Sequence, residues 1–334
     1  MHLIVVLAGL ATVGLVLYDA FITTLSASTA SGPITGRVGR LLWSGLHRSA
    51  SSPHSRVLAV AGPFIVATIL VLWILGLWTG WSVVFAAAPD AVVDADTGNP
   101  VDLWGRVYYA GFALSTLGVG DVVAVGTPWR ILTVVATLTG FVLLTTAVSF
   151  LIPVTTAVTD AQQQAMVLHA LGRTAQDIVL HCWDCRSFAA ATGHLEQLTY
   201  QLSRTTRQFL AYPVLYYFHS TQRATSIELG TAALNEAVLL LEHGIHEDVR
   251  LPPPTVTALR RCLRELAHVA GAGSFVDPAE HPPPPPDLAP LRRAGIPTVP
   301  PEEFRSKIDG RNERRALLAF VTDAGWRWED CVRT

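Results

Sequence analysis

Two long stretches without a charged residue, Val57–Pro89 and Ile131–Thr159, enclose the loop Ser115-Thr116-Leu117-Gly118-Val119-Gly120-Asp121-Val122-Val123-Ala124. Each stretch exceeds the roughly 20 apolar residues that a helix rising 1.5 Å per residue needs to cross a bilayer. Lipid satisfies no backbone N–H or C=O. Irregular backbone at that depth therefore lines a water-filled or ion-filled path.

The segment before the loop, Leu103–Ser115, is semi-apolar and about 20 Å long as a helix, too short to cross. Asp102 supplies an N-cap and Pro100 precedes it. This pattern predicts a helix that enters halfway and returns as an extended strand. Gly118 and Gly120, at every second place, can reach the left-handed region without steric cost, so successive carbonyls can be turned the same way. Thr116 adds a hydroxyl at the inner end, Leu117 and Val119 are expected to point into the protein, and Asp121 to sit at the outer mouth. A simple tight turn between two helices is the competing reading, since Gly-x-Gly alone is a common pattern.

A third candidate span covers Leu3–Leu25, interrupted by Asp19. It lacks the basic start of a signal peptide, although Ser26-Ala27-Ser28-Thr29-Ala30 is small enough for cleavage. Charge favours an anchor: Ser26–Arg56 carries Arg37, Arg40, Arg48 and Arg56 and no acid, whereas Ala86–Asp102 carries Asp90, Asp94, Asp96 and Asp102 and no base. Lys/Arg excess marks the cytoplasmic face. This predicts a multi-pass protein of the plasma membrane with its N-terminus outside and its C-terminus in the cytoplasm. Asp19 then lies near the inner interface, within reach of water or Arg37. The span carries no arginine ladder of a voltage sensor.

From about Val57 to Thr159 the chain resembles the pore domain of two-span potassium channels, with Thr116-Leu117-Gly118-Val119-Gly120-Asp121 similar to the filter signature. Gly140 stands where that family often has an inner-helix hinge glycine, and Pro153 near where the helix bends before the gate. Packing by a small residue is an equal reading of Gly140. With its extra N-terminal span and helical tail, the whole chain resembles bacterial potassium channel family proteins of the three-span type. The resemblance implies a homotetramer, because four filter strands close one ring. It also implies passive flow of potassium or other monovalent cations, with no cofactor. Two departures stand out: Val119 replaces the usual aromatic, and Phe112 replaces the pore-helix carboxylate of some members. The first leaves a weakly selective sodium/potassium channel as an alternative, and a membrane signalling scaffold with a vestigial pore is a rival of another class.

The expected fold class is an all-α membrane protein: three transmembrane helices, a re-entrant pore helix and filter loop, and an α-helical cytoplasmic C-terminal domain. The expected divisions are an N-terminal transmembrane helix (1–25), a cytoplasmic basic loop (26–56) and a pore domain (57–159). The pore domain holds an outer helix (57–88), a pore helix (103–115), a filter (116–121) and an inner helix (129–157). A helical cytoplasmic domain (160–275), a Pro-rich linker (276–301) and a single C-terminal helix (302–334) complete the chain.

Composition agrees with a membrane protein. Charged residues make up 15%, against about a quarter in soluble domains, and mean hydropathy is +0.38. A net charge of -2 gives no field for nucleic acid. In the tail, apolar residues recur at helical spacing over Ala165–Cys182, His194–Leu210, Ala224–His243 and Val256–Val269. The aromatic cluster Tyr212–Phe218 reads as core or membrane contact. Cys182 and Cys185 form a Cys-x-x-Cys that is a weak metal candidate, with His194, Cys262 or His268 as further ligands. On one helix face they read as packed apolar thiols. No Gly-x-Ser-x-Gly, His-Glu-x-x-His or P-loop lysine points to an enzyme.

Overall fold

In the computed structural model, residues 2–25, 31–49, 56–273 and 280–332 are described. The chain divides into two compact units. One comprises residues 1–26, 30–42 and 64–153; the other comprises 27–29, 43–63 and 154–334. Three helices are long and apolar enough to cross a membrane: α1 (His2–Leu25), α3 (Arg56–Ala86) and α5 (Thr127–Leu171). Between the first two lies α2 (Pro33–Ser49), and between the last two α4 (Leu103–Leu114).

In the first unit α1 and α3 run antiparallel along a seam of small residues. A Cβ on Gly9 would lie 2.6 Å from Val84, one on Gly80 would lie 2.8 Å from Val13, and one on Gly76 would lie 2.8 Å from Val16. Glycines at four-residue spacing let two helices approach where no hydrophobic effect drives them together. His2 at the start of α1 hydrogen-bonds the Ala87 carbonyl just past α3.

The segment expected to be a basic loop contains α2, whose first turn is capped from outside its own sequence. Asp19 of α1 accepts the N–H groups of Ile34 (2.6 Å) and Thr35 (3.2 Å), the Thr35 hydroxyl (2.6 Å) and the Trp73 indole (2.8 Å). Pro33 occupies the first helical position, where a missing N–H costs nothing. Gly32 has no side chain to act as cap, and a Cβ there would fall 2.3 Å from Asp19 Oδ1. Asp19 is fully buried. It reaches neither water nor Arg37, because four donors already surround it.

Short strands β1 (Val92–Asp94) and β2 (Val122–Ala124) pair antiparallel, Val92 opposite Ala124 and Asp94 opposite Val122. They clasp the segments before α4 and after the loop. Three residues each are too few to show a period-2 pattern in sequence.

The second unit is helical. Besides the end of α5 it holds α6 (Ala175–Cys182), α7 (Thr192–Ala211), α8 (Ile227–Leu239), α9 (Pro253–Gly273), α10 (Ala289–Arg293), α11 (Pro301–Ile308), α12 (Asn312–Asp323) and α13 (Glu329–Val332). α7 packs along α9, and α8 against α6, α9 and α12. α8 is buried on nearly every face, as a helix apolar all round must be. Within it Glu236 meets Arg314 of α12 through two bonds of 2.9 Å.

Several expected boundaries differ. The inner helix does not stop at 157 but continues to Leu171. The periodicity over Ala165–Cys182 is broken where Thr174 and Asp177 form a capping box that starts α6. The Pro-rich segment is not a free spacer: it contains α10, buries Leu288, Leu291, Ile296 and Val299, and offers the Pro284 carbonyl to Arg314 at 2.8 Å. Residues 276–279 of that segment lie outside the described residues. The single C-terminal helix is instead α11, α12 and α13. Gly310 and Gly325 break it, with φ of 70° and 78°, a left-handed backbone that stops helices.

Candidate pore loop

Asp102 starts α4 by accepting the Gly105 N–H at 2.8 Å. Arg106 donates to the Pro89 carbonyl at 3.1 Å, and Trp78 of α3 donates to the Val107 carbonyl at 2.8 Å. The buried face of α4 carries Tyr109 and Phe112, whose rings meet edge to face at 5.0 Å; Tyr109 also meets Phe85 of α3 at 5.0 Å. The Tyr109 hydroxyl lies 2.6 Å from Thr133 of α5, and Trp81 of α3 donates to Thr139 at 3.0 Å. Aromatic side chains with one polar end thus tie three helices together without leaving a buried donor unpaired.

α4 ends in a tight reversal. The Leu117 N–H bonds to the Phe112 carbonyl at 3.0 Å and the Thr116 N–H to Ala113 at 3.3 Å. This is the Schellman arrangement, whose left-handed position is usually glycine. Here it is Thr116, with φ 59°. A β-branched residue in that region is a conformational outlier that costs about 1–2 kcal/mol, the kind of strain concentrated at functional sites.

Gly118 and Gly120 follow with φ of 59° and 87°, and Leu117 and Val119 between them keep negative φ. Left-handed and ordinary conformations therefore alternate from Thr116 to Gly120. Nothing lies within 4 Å of a Cβ built on Gly118 or Gly120, so the glycines answer to backbone conformation and not to crowding. Among the described residues, no hydrogen bond reaches the carbonyl oxygens of Thr116, Leu117, Gly118 or Val119. Unpaired carbonyls in series need an outside partner.

Asp121 closes the loop. Its carbonyl accepts the Ala95 N–H at 2.9 Å, and its carboxylate lies near the Tyr108 hydroxyl of α4. Asp94, opposite Val122 in the clasp, is held below the usual carboxylate range by the Thr97 N–H and hydroxyl and by the Asp96 N–H. Asp90, Asp94, Asp96, Asp102 and Asp121 make this end of the chain acidic.

Leu117 and Val119 do not point into the protein's own interior: they are 69% and 51% exposed in the single chain. α4 and α5 of the same chain do not cover them. An apolar cavity of about 600 Å³ lies behind the loop between α3, α4 and α5, with Trp73, Trp78 and Phe141 on its walls and Thr116 and Leu117 at one end.

Gly140 of α5 faces the end of α4. A Cβ there would lie 2.2 Å from the Leu114 carbonyl oxygen and 2.9 Å from its carbon. Close approach alone requires glycine at this place. Pro153 sits inside α5, which is helical through both Gly140 and Pro153. Its missing N–H leaves the Ser149 carbonyl without a helix partner.

The Cys-x-x-Cys does not share a helix face. Cys182 is the last residue of α6 and buried, and Cys185 lies beyond it with φ 71° and is exposed. Burial pushes the Cys182 thiol up to about 11. Among the described residues no group of three or more His, Cys, Asp and Glu is placed to hold a metal.

Neither the left-handed Thr116 nor the β1–β2 clasp is signalled by spacing in the sequence.

Residues 68–157 match the model of a family described as ion channel. Over 325 residues the chain is 31% identical to the uncharacterized membrane protein YdjJ of Bacillus subtilis (strain 168), spanning 96% of this chain and 94% of that protein. No solved structure matches the chain.

Proposed function

Because the chain belongs to the ion channel family, we propose that it passes cations down their gradient through a filter made of Thr116, Leu117, Gly118, Val119, Gly120 and Asp121. One observation carries this reading: the alternation of φ from Thr116 to Gly120, with a row of carbonyls that no protein donor reaches. Carbonyl oxygens in a ring replace the hydration shell of a monovalent cation, and several sites in series let one ion displace the next.

One such strand cannot surround an ion, so the proposed unit is a homotetramer. The exposed Leu117 and Val119 are then covered by neighbouring subunits. α4 aims the negative end of its dipole at the cation as it leaves the filter. The acidic outer mouth raises the local cation concentration.

Potassium is the proposed main ion. Val119 supports a second reading, a weakly selective sodium/potassium channel: its side chain has no polar end to pin the filter. In both readings bending of α5 at Pro153 opens the inner end, while Gly140 serves packing. The protein is proposed to be neither an enzyme nor a scaffold, and to need no cofactor or metal at Cys182 or Cys185.

The test is Gly120→Asp in full-length protein reconstituted into liposomes. Potassium flux should vanish while the tetramer stays folded, its stability lowered only by the about 1–2 kcal/mol of a side chain in left-handed backbone. Flux equal to that of the unsubstituted chain would overturn the reading.

A further inference from the structure

We propose that the exposed face of α2 binds the anionic headgroups of the lipid leaflet at which α1 ends. Asp19 fixes where α2 starts. Its carboxylate takes the N–H groups of Ile34 and Thr35 at 2.6 Å and 3.2 Å. The start of α2 is thereby fixed six residues before the end of α1, about 9 Å along its axis. α1 is an apolar span of 24 residues, so α2 begins at the level where hydrocarbon gives way to headgroups.

The faces of α2 are unlike. Thr35, Gly39 and Trp43, at four-residue spacing, are buried. At 3.6 residues per turn Arg37, Arg40, Leu41 and Arg48 share the opposite face, and all four are exposed, Leu41 to 72%. The helix holds no acidic residue. Arg37 touches the Pro33 carbonyl of its own helix at 3.1 Å, and among the described residues no ion pair joins these arginines to a carboxylate. A basic stripe bearing one exposed leucine suits an anionic surface with acyl chains beneath it.

Full-length protein in maltoside micelles, mixed with equal amounts of phosphatidylcholine and phosphatidylglycerol, is passed over a sizing column. The lipid it retains is then measured by mass spectrometry. Each arginine near an anionic surface contributes roughly a fivefold preference, so phosphatidylglycerol should be enriched by roughly 10²-fold at low salt. The enrichment should collapse at high salt, where charges are screened. Arg37→Gln/Arg40→Gln/Arg48→Gln should lose most of it at an unchanged thermal midpoint, and the triple lysine variant should keep it.

A folded glutamine variant with full enrichment overturns the proposal. So does enrichment in the unsubstituted protein that ignores salt, a measurement that stands even if the variants fail to fold. A glutamine variant that changes the number of subunits and not the lipid assigns this face to a second copy of the chain, and likewise overturns it. None of these readouts depends on ion flux.

Discussion

Asp19 of α1 accepts the indole N–H of Trp73 in α3 at 2.8 Å, from a site with no solvent exposure, while its other contacts hold the first turn of α2. One carboxylate inside the span thus serves three helices. Asp19→Ala strands four donors and should cost about 2–4 kcal/mol, at about 1 kcal/mol or more per buried bond lost. Trp73→Phe strands none and should cost less. Thermal unfolding in detergent, followed by tryptophan fluorescence, ranks them; equal midpoints for Asp19→Ala and the unsubstituted protein would refute the clasp.

Gly140 separates packing from flexibility. If the residue served only as a hinge, Gly140→Ala would strengthen the helix by about 1 kcal/mol. The Leu114 carbonyl 2.2 Å from the added Cβ predicts the opposite sign, a loss of about 1–3 kcal/mol from overpacking against backbone. The direction of the shift in the unfolding midpoint decides it.

Gly118→Ala and Gly120→Ala meet no neighbouring atom, so their cost is the left-handed backbone alone, about 1–2 kcal/mol each. The tetramer should survive and flux should fall by at least tenfold as the carbonyl row turns. Normal flux in either variant would show that the alternation does not matter to conduction.

Arg314 neutralises Glu236 where neither is exposed beyond 2%. Arg314→Met leaves a buried carboxylate and should cost about 3–5 kcal/mol, most of it recovered in Arg314→Met/Glu236→Leu. Burial already raises the Glu236 pKa despite the arginine, and losing Arg314 raises it further. The folded variant then holds a proton that the unfolded chain releases above about pH 4, so its stability falls as pH rises. Denaturant midpoints at pH 5 and pH 8 should differ more for Arg314→Met than for the unsubstituted protein, with pH 8 the lower.

Cys185 is exposed and Cys182 is buried with its thiol pushed up to about 11. At neutral pH Cys182 therefore stays a thiol and not the reactive thiolate. Maleimide should label Cys185 first by a wide margin. One zinc per chain in purified protein would contradict the reading of these residues as plain thiols.

The spans and the loop were legible because each rests on a local rule. A charge-free run has one use at that length, and glycines at alternate places answer to φ. The same rule at Gly310 and Gly325, each placed after an apolar periodic run, splits the C-terminal segment into separate helices. α2 was hidden for a different reason. Its cap is Asp19, fifteen residues earlier than Ile34, and its own sequence holds Gly36, Gly39 and Gly45, which weaken helical propensity. The sequence shows the hydroxyl of Thr116 and not its left-handed backbone, which depends on α4 ending one residue earlier than its apolar pattern implies. The composition of the Pro-rich segment implies an extended spacer, while its buried Leu288, Leu291 and Ile296 belong to a core assembled from distant helices.

The most direct measurement is cation flux into liposomes holding the full-length protein, with potassium or sodium as the sole permeant gradient. A carbonyl filter predicts potassium entry that barium blocks, with sodium much slower; comparable entry of both would assign the weakly selective form. Absence of flux for either ion, from folded tetramers truncated after Asp160 as well as from the full chain, would contradict conduction through Thr116–Gly120.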